Sequence, residues 1–315
     1  MTSLLKIERS PRRGLMTLEW VMLAYMALTT LLMFFMYTKL QNPESMLWGR
    51  VRILFITIAM WGVYRLVPCR LTTFARIVVQ MALLSWWYPD TYEFNRLFPN
   101  LDHLFATWEQ SLFSCQPALH FHSIFSWKVF SELMHLGYSA YYPMIAVVVI
   151  YCFLYKYDMM ERAATVIMIS FFVYYIIYIA IPVTGPQYYF LAAGMDNIAA
   201  GVFPDVNNYF LTHSESLPLP GWNGGFFYDM VQSAHDAGER PTAAFPSSHV
   251  GVSTIVLFLA WKTGSRRLLY CLLPFYVLLC FSTVYIQAHY AIDVIGGWVS
   301  GAVLFFTLWF ALHLR

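Results

Sequence analysis

Eight apolar stretches, each near the length of a bilayer crossing, constrain the fold of this chain more than any other feature of it. A hydrocarbon core of ~30 Å needs ~20 mostly apolar residues wound as helix. Such stretches fall at roughly 15–38, 51–68, 71–88, 137–155, 164–184, 246–262, 268–287 and 291–313. Backbone polar groups in lipid must be satisfied within the bundle, so these runs read as helices. The expected fold is all-α: a polytopic bundle of about eight transmembrane helices, with interfacial helices in the outer loops. Composition agrees, because 11% charged residues, against ~25% in soluble domains, cannot cover a globule of this size in water. A soluble enzyme, a disordered tail protein and a nucleic-acid-binding module are excluded, since a net charge of +2 leaves no basic footprint.

Charges inside the spans need a reason. Arg52, Arg65 and Arg76 lie in or beside the second and third, where long side chains are expected to snorkel to the headgroups. Glu19 in the first is expected near an interface or inside the bundle. The N-terminal MTSLLKIERSPRRG is basic, but the apolar run after it is too long for a signal peptide and lacks an A-x-A site, so it reads as a retained span. With eight spans both termini share a side, and thirteen of the nineteen Lys and Arg, from Lys6 to Arg315, fall on it. That side is expected to be cytoplasmic. The long connections 89–136 and 185–245 then face a periplasm or lumen, across an inner or plasma membrane. The first mixes aromatic and polar residues, which suits amphipathic interfacial helices. The second, rich in Gly, Pro and Asn, reads as irregular loop. The expected organisation is an N-terminal helix pair over 1–70 and a six-helix unit over 71–315 that includes both outer loops. Cysteine spacing suggests neither an outer-loop disulfide nor a zinc site.

Chemistry concentrates in 238–301. GERPTAAFPSSHV leads into the sixth span and FSTVYIQAHYAIDVIGG into the eighth. One full hairpin separates His249 from His289, so both return to the same face whichever side is inside. His289 and Asp293 are four apart, the spacing of one helical face, where a carboxylate fixes the imidazole tautomer and leaves the other nitrogen nucleophilic. Pro246 suits a first helical position, with Ser247 and Ser248 beside it, and a helix N-terminus with free N–H groups is an anion site.

PSSH at 246–249, followed by Ser282 and His289-Tyr-Ala-Ile-Asp293, resembles the second and third signatures of the type 2 phosphatidic acid phosphatase superfamily. The resemblance covers roughly 71–313 and is tight within 240–300. It implies a six-helix core and roles for individual residues. His289 would attack phosphorus to give a phosphohistidine, Asp293 would orient it, and His249 would act as general acid and base. No metal or organic cofactor is implied. The pattern AAFPSSHVG…AHYAIDVIGG looks closer to the inositol-phosphorylceramide and sphingomyelin synthase-like branch than to the plain phosphatases.

Several residues usual in the family, cations among them, are missing. Ser282-Thr283 stands where Ser-Arg is usual, Ser248 where Gly is usual, and PVTGPQYY offers Gln187 where a basic residue is common. Arg240 is the one nearby cation on this side. A phosphomonoester carries about −1.5 to −2 charges near neutral pH, a diester one, and an unpaired second charge in a low-dielectric mouth is costly. The expected reaction is therefore transfer of a phospho-headgroup from a phospholipid donor to a lipid alcohol. The alternative is a lipid-phosphate phosphatase on the outer leaflet with water as acceptor; less favoured is a transporter or non-catalytic scaffold on the same fold. Ser247, Ser248, Arg240, Ser282 and Gln187 are the expected substrate-binding residues. The bilayer is the expected partner, and nucleic acid is not. His120-Phe-His122 lacks the further ligands of a metal set. His235, Asp236 and Glu239 read as solvated loop residues, and His103, His135, His213 and His313 carry no motif. The tyrosines of 130–142 read most simply as interfacial anchors, or as lining for a headgroup site. Gly297-Trp-Val-Ser-Gly301 is a small-xxx-small pattern for close helix approach.

Overall fold

A computed structural model describes residues 4–238 and 240–312, so Glu239, His313 and Arg315 lie outside the described residues. Every regular element among the described residues is helical. An N-terminal hairpin comprises α1 (Thr17–Met36) and α2 (Pro43–Leu66). The chain continues through α3 (Arg70–Ala82) and α4 (Leu84–Asn95), then the outer helices α5 (Asp102–Phe113) and α6 (Pro117–Ile124). Next come α7 (Lys128–Ser139), α8 (Tyr141–Tyr155) and α9 (Tyr157–Ala180). An outer segment holds α10 (Pro186–Ala193), α11 (Met195–Ala199) and α12 (Phe226–Gly238). The bundle closes with α13 (Ser248–Lys262), α14 (Arg266–Tyr285) and α15 (Ala291–Ala311).

Among the described residues five helices are long and apolar enough to cross a membrane: α1 with its following 3-10 turn, α2, α9, α14 and α15. The α7–α8 pair, bent by 48°, makes a sixth. Two others of the eight expected stretches do not form a single helix of spanning length. The third stretch is broken at Leu83 into α3 and α4. The sixth, α13, has 15 residues, a rise of about 22 Å against the ~30 Å of the core.

Two buried ion pairs explain charges in the N-terminal helices. Arg76 does not snorkel: it is buried and grips Glu19 with Nε–Oε1 2.9 Å and Nη2–Oε2 2.5 Å. Glu19 also accepts the Met16 N–H at 2.8 Å. Arg50 likewise meets Asp90 at 2.7 Å. A charge left alone there would cost several kcal/mol, so α1 and α3 each supply what the other needs. Arg65, by contrast, is exposed, as snorkelling requires.

One hydrophobic core runs from Met16 to Phe305. Its centre is α9, which packs against α1, α3, α4, α8, α13 and α15. The small-residue pattern performs as expected. A Cβ on Gly301 would stand 2.5 Å from Gly251 O, and one on Gly297 2.7 Å from Ser247 O. Only hydrogen at these positions lets α15 lie against α13, and that contact fixes the two helix starts relative to each other.

The 185–245 segment is not irregular throughout. Residues 226–238 form the amphipathic helix α12, because Val231 reaches a cluster with Met134, Leu219 and Tyr285. Glu132 of α7 accepts the N–H groups of Phe227 and Tyr228, both at 3.1 Å, and so pins the first turn of α12.

Candidate active site

His249 is the second residue of α13, and His289 lies two residues before α15. The α14 excursion returns them to one point, as the sequence requires, with Nε2 of His289 3.4 Å from Nδ1 of His249. Nδ1 of His289 sits 2.8 Å from the Ala244 carbonyl. A carbonyl oxygen only accepts, so Nδ1 carries the proton and Nε2 keeps its lone pair.

Asp293 is not the nearest partner of that ring. Its Oδ2 is 3.5 Å from Nδ1 and accepts the Tyr290 N–H at 2.8 Å. The reason is helix phase. Tyr290 is the N-cap and Asp293 the third helical residue, so His289 stands outside the helix and the i, i+4 rule does not reach it. Asp293 caps α15 and lies behind the imidazole, while the 240–246 loop carries the direct acceptor.

The expected anion cradle also differs. Helix α13 begins at Ser248, with Ser247 as N-cap accepting from Val250 N at 3.4 Å. Pro246 therefore precedes the cap rather than occupying the first helical position. The Ser248 N–H donates to Tyr178 Oη at 3.0 Å, and that hydroxyl donates to Pro246 O at 2.9 Å. Two of the first-turn donors are thus already engaged. Ser247 is fully buried in its capping role, and Ser282, also buried, donates to Leu279 O at 2.9 Å.

The histidines stand at the floor of a cavity of about 320 Å³ that Ser248 and Gln187 also line. Six tyrosines surround it: Tyr88, Tyr138, Tyr141, Tyr142, Tyr175 and Tyr178. Tyr138 and Tyr141 hold the His249 ring with centroids at 4.7 and 4.5 Å. These tyrosines line a site and do not merely anchor an interface. Helix α12 roofs part of the cavity with Val231, Ala234 and His235. His235 is thus a half-buried helix residue rather than a solvated loop residue, while Asp236 is exposed. Among the described residues the lining contains no Lys, Arg, Asp or Glu. Arg240 lies elsewhere: its guanidinium is 6.0 Å from the Tyr92 ring, in a separate polar cavity shared with Arg96 and Glu93.

Two carboxylates without a motif also shape the site. Asp102, fully buried, accepts from Thr184 N and Oγ1, Gly185 N, Asn100 Nδ2 and Tyr290 Oη, at 2.6 to 3.0 Å. It ties the PVTGPQ turn to the residue after His289. Glu109 accepts the Ile292 N–H at 3.1 Å, at the same helix start. Nothing in NLDH or TWEQ signals these roles, since both partners are more than eighty residues away. On α6, His120 and His122 sit apart from the site, and no group of three or more His, Cys, Asp or Glu able to hold a metal forms among the described residues.

A family model described as PAP2 superfamily matches residues 103–307, about two thirds of the chain. The matched segment holds both histidines, Asp293, Asp102's tyrosine partner and Glu109, and leaves α1 to α4 outside. No curated protein and no solved structure gives a match. With its apolar helices and paired histidines at one mouth, the chain is an integral membrane protein and belongs to the PAP2 superfamily, whose members are phosphoesterases acting on phosphate esters.

Proposed function

We propose that the protein is a lipid phosphotransferase that moves a phospho-headgroup from a phospholipid to a lipid alcohol, in the manner of an inositol-phosphorylceramide synthase. The observation that carries this reading is the cavity lining, which holds His235, His249 and His289 and no Lys, Arg, Asp or Glu among the described residues. One imidazolium balances the single charge of a phosphodiester. The second charge of a monoester would stay unpaired in a tyrosine-walled site.

In this reading Nε2 of His289 attacks phosphorus. A P–N bond forms as the P–O bond to the diacylglycerol breaks, and protonated His249 gives its proton to the departing oxygen. The acceptor hydroxyl then passes its proton to His249 while its oxygen attacks phosphorus and the P–N bond breaks. The Ala244 carbonyl holds the nucleophile's tautomer, and Asp293 lends negative charge behind it. Ser248 and Gln187 bind the headgroup, whereas Ser247 and Ser282 hold the backbone that presents it. Arg240, on the neighbouring polar cavity, meets the donor only at its approach. Residues 71–315 form the catalytic unit, with 1–70 an accessory pair. By the Lys/Arg count the termini are cytoplasmic and the mouth faces the periplasm or lumen.

The test is incubation of purified protein in vesicles with labelled phosphatidylinositol and ceramide. A phosphorylated ceramide product that requires His289 is expected. Release of free phosphate from phosphatidic acid, with no lipid product on any donor, would establish the phosphatase reading instead. Undiminished activity in His289→Ala would end both.

A further inference from the structure

We propose that the apolar groove between α3, α8 and α9 holds a hydrocarbon chain of the lipid whose phosphate reaches His249 and His289. The proposal rests on the phosphotransfer reading for the identity of that lipid. It stands on the joining of two cavities. Beside the histidine cavity lies a groove of about 580 Å³, walled by Phe74, Val78 and Met81 on one side and by Ile145 and Val149 on the other. Ser85, Tyr142, Phe171 and Tyr175 line both. A single molecule can therefore lie in the two at once.

The break at Leu83 makes the junction. There α3 ends and α4 begins, and Ser85 turns its hydroxyl back to Ala82 O at 2.8 Å. Tyr175 Oη is spent on Leu84 O at 3.1 Å. Beyond that point the groove lining contains no charged residue among the described residues, so it offers nothing to a headgroup and much to methylenes. Val78, Ile150 and Tyr142 are exposed at its edge, on helices whose outer faces are apolar. On this proposal it opens to hydrocarbon rather than to water. The α3 wall lies before residue 103 and so outside the family match. Chain selection is on this account a property of the first helix of the catalytic unit, in a part of it that the family match does not reach.

Ala82 and Ala146 line the groove and are both exposed, so a larger side chain fills it without disturbing the core. Ala146→Trp and Ala82→Trp are expected to raise KM for a long-chain donor about tenfold. Turnover of a short-chain, water-soluble donor with the same headgroup is expected to stay at the wild-type level. Equal effects on both donors, or none on either, would overturn the proposal. A second arm needs no turnover. A phospholipid analogue with a photoactivatable group in its acyl chain is irradiated with wild-type protein in phosphatidylcholine vesicles, and labelled peptides are mapped. Enrichment on 70–82 and 141–155, lost in Ala146→Trp, supports the groove. Even labelling across α1, α2 and the exposed face of α15 refutes it. Wild-type protein that labels in the groove but turns over no donor would sink the phosphotransfer reading and leave the groove standing.

Discussion

Glu109 should make the protein's stability fall as the pH is raised, and the structure gives the size of the effect. The side chain is fully buried on α5, outside the spans, with Oε2 on the Ile292 N–H and Oε1 unpartnered. Burial above all, helped by the charge of Asp293, lifts its pKa from 4.5 to about 8, against the pull of the Ile292 and Ala291 N–H groups. An unfolded chain loses this proton near 4.5, whereas the folded protein holds it to about 8. Stability from this group is therefore complete below the lower value, declines between the two, and is fully lost above the upper. The rise corresponds to roughly 4–5 kcal/mol at most, since each unit is about 1.4 kcal/mol and local relaxation absorbs part of it. Glu109→Gln keeps the acceptor for Ile292 and cannot ionise. Purified wild type and variant, heated in detergent at pH 5 to 9 and scored for the monodisperse fraction, should have similar Tm at pH 5. At pH 9 the variant should be the more stable. Parallel Tm profiles across the range would refute a buried, neutral Glu109.

Three further outcomes follow from contacts. Gly301→Ala places a Cβ 2.5 Å from the Gly251 carbonyl, so it should cost about 1–3 kcal/mol in thermal stability, and activity should fall with it because α13 and α15 position the histidines. Glu19→Gln leaves Arg76 buried without its carboxylate and should cost about 3–5 kcal/mol, most of it regained in Glu19→Gln/Arg76→Met; a double variant no better than the single would contradict the pairing argument. Tyr178→Phe strips two hydrogen bonds from the Pro246–Ser248 turn and should cost about 1–3 kcal/mol, with kcat falling more than KM rises, as enzyme kinetics would show.

Much of the fold was legible because its signals are local. A run of apolar residues near twenty long reads as a helix whatever surrounds it, and the hairpin between His249 and His289 returns the chain by parity alone. The errors arose where a neighbour decides. Arg76 looked like a snorkelling residue until α1 brought Glu19 to it. The third stretch looked continuous, although its break at Leu83 is what opens the groove wall. Helix α12 was hidden in a Gly- and Pro-rich segment because its apolar face has meaning only against Met134 and Tyr285.

By itself, then, the sequence determined an all-helical membrane bundle, two histidines at one mouth, and a glycine pattern that lets α15 close on α13. All three depend on length, period and residue size, which a single chain carries within itself. The tertiary structure alone decided which atom holds the His289 ring. The spacing of His289 and Asp293 assumed a helix already running, but the helix starts at Ala291 and the ring turns to the Ala244 carbonyl on another loop. It also decided that Arg240 lies apart from the cavity, and that Asp102 and Glu109 stand behind it. Such facts join residues tens to more than a hundred positions apart, and no local pattern encodes them.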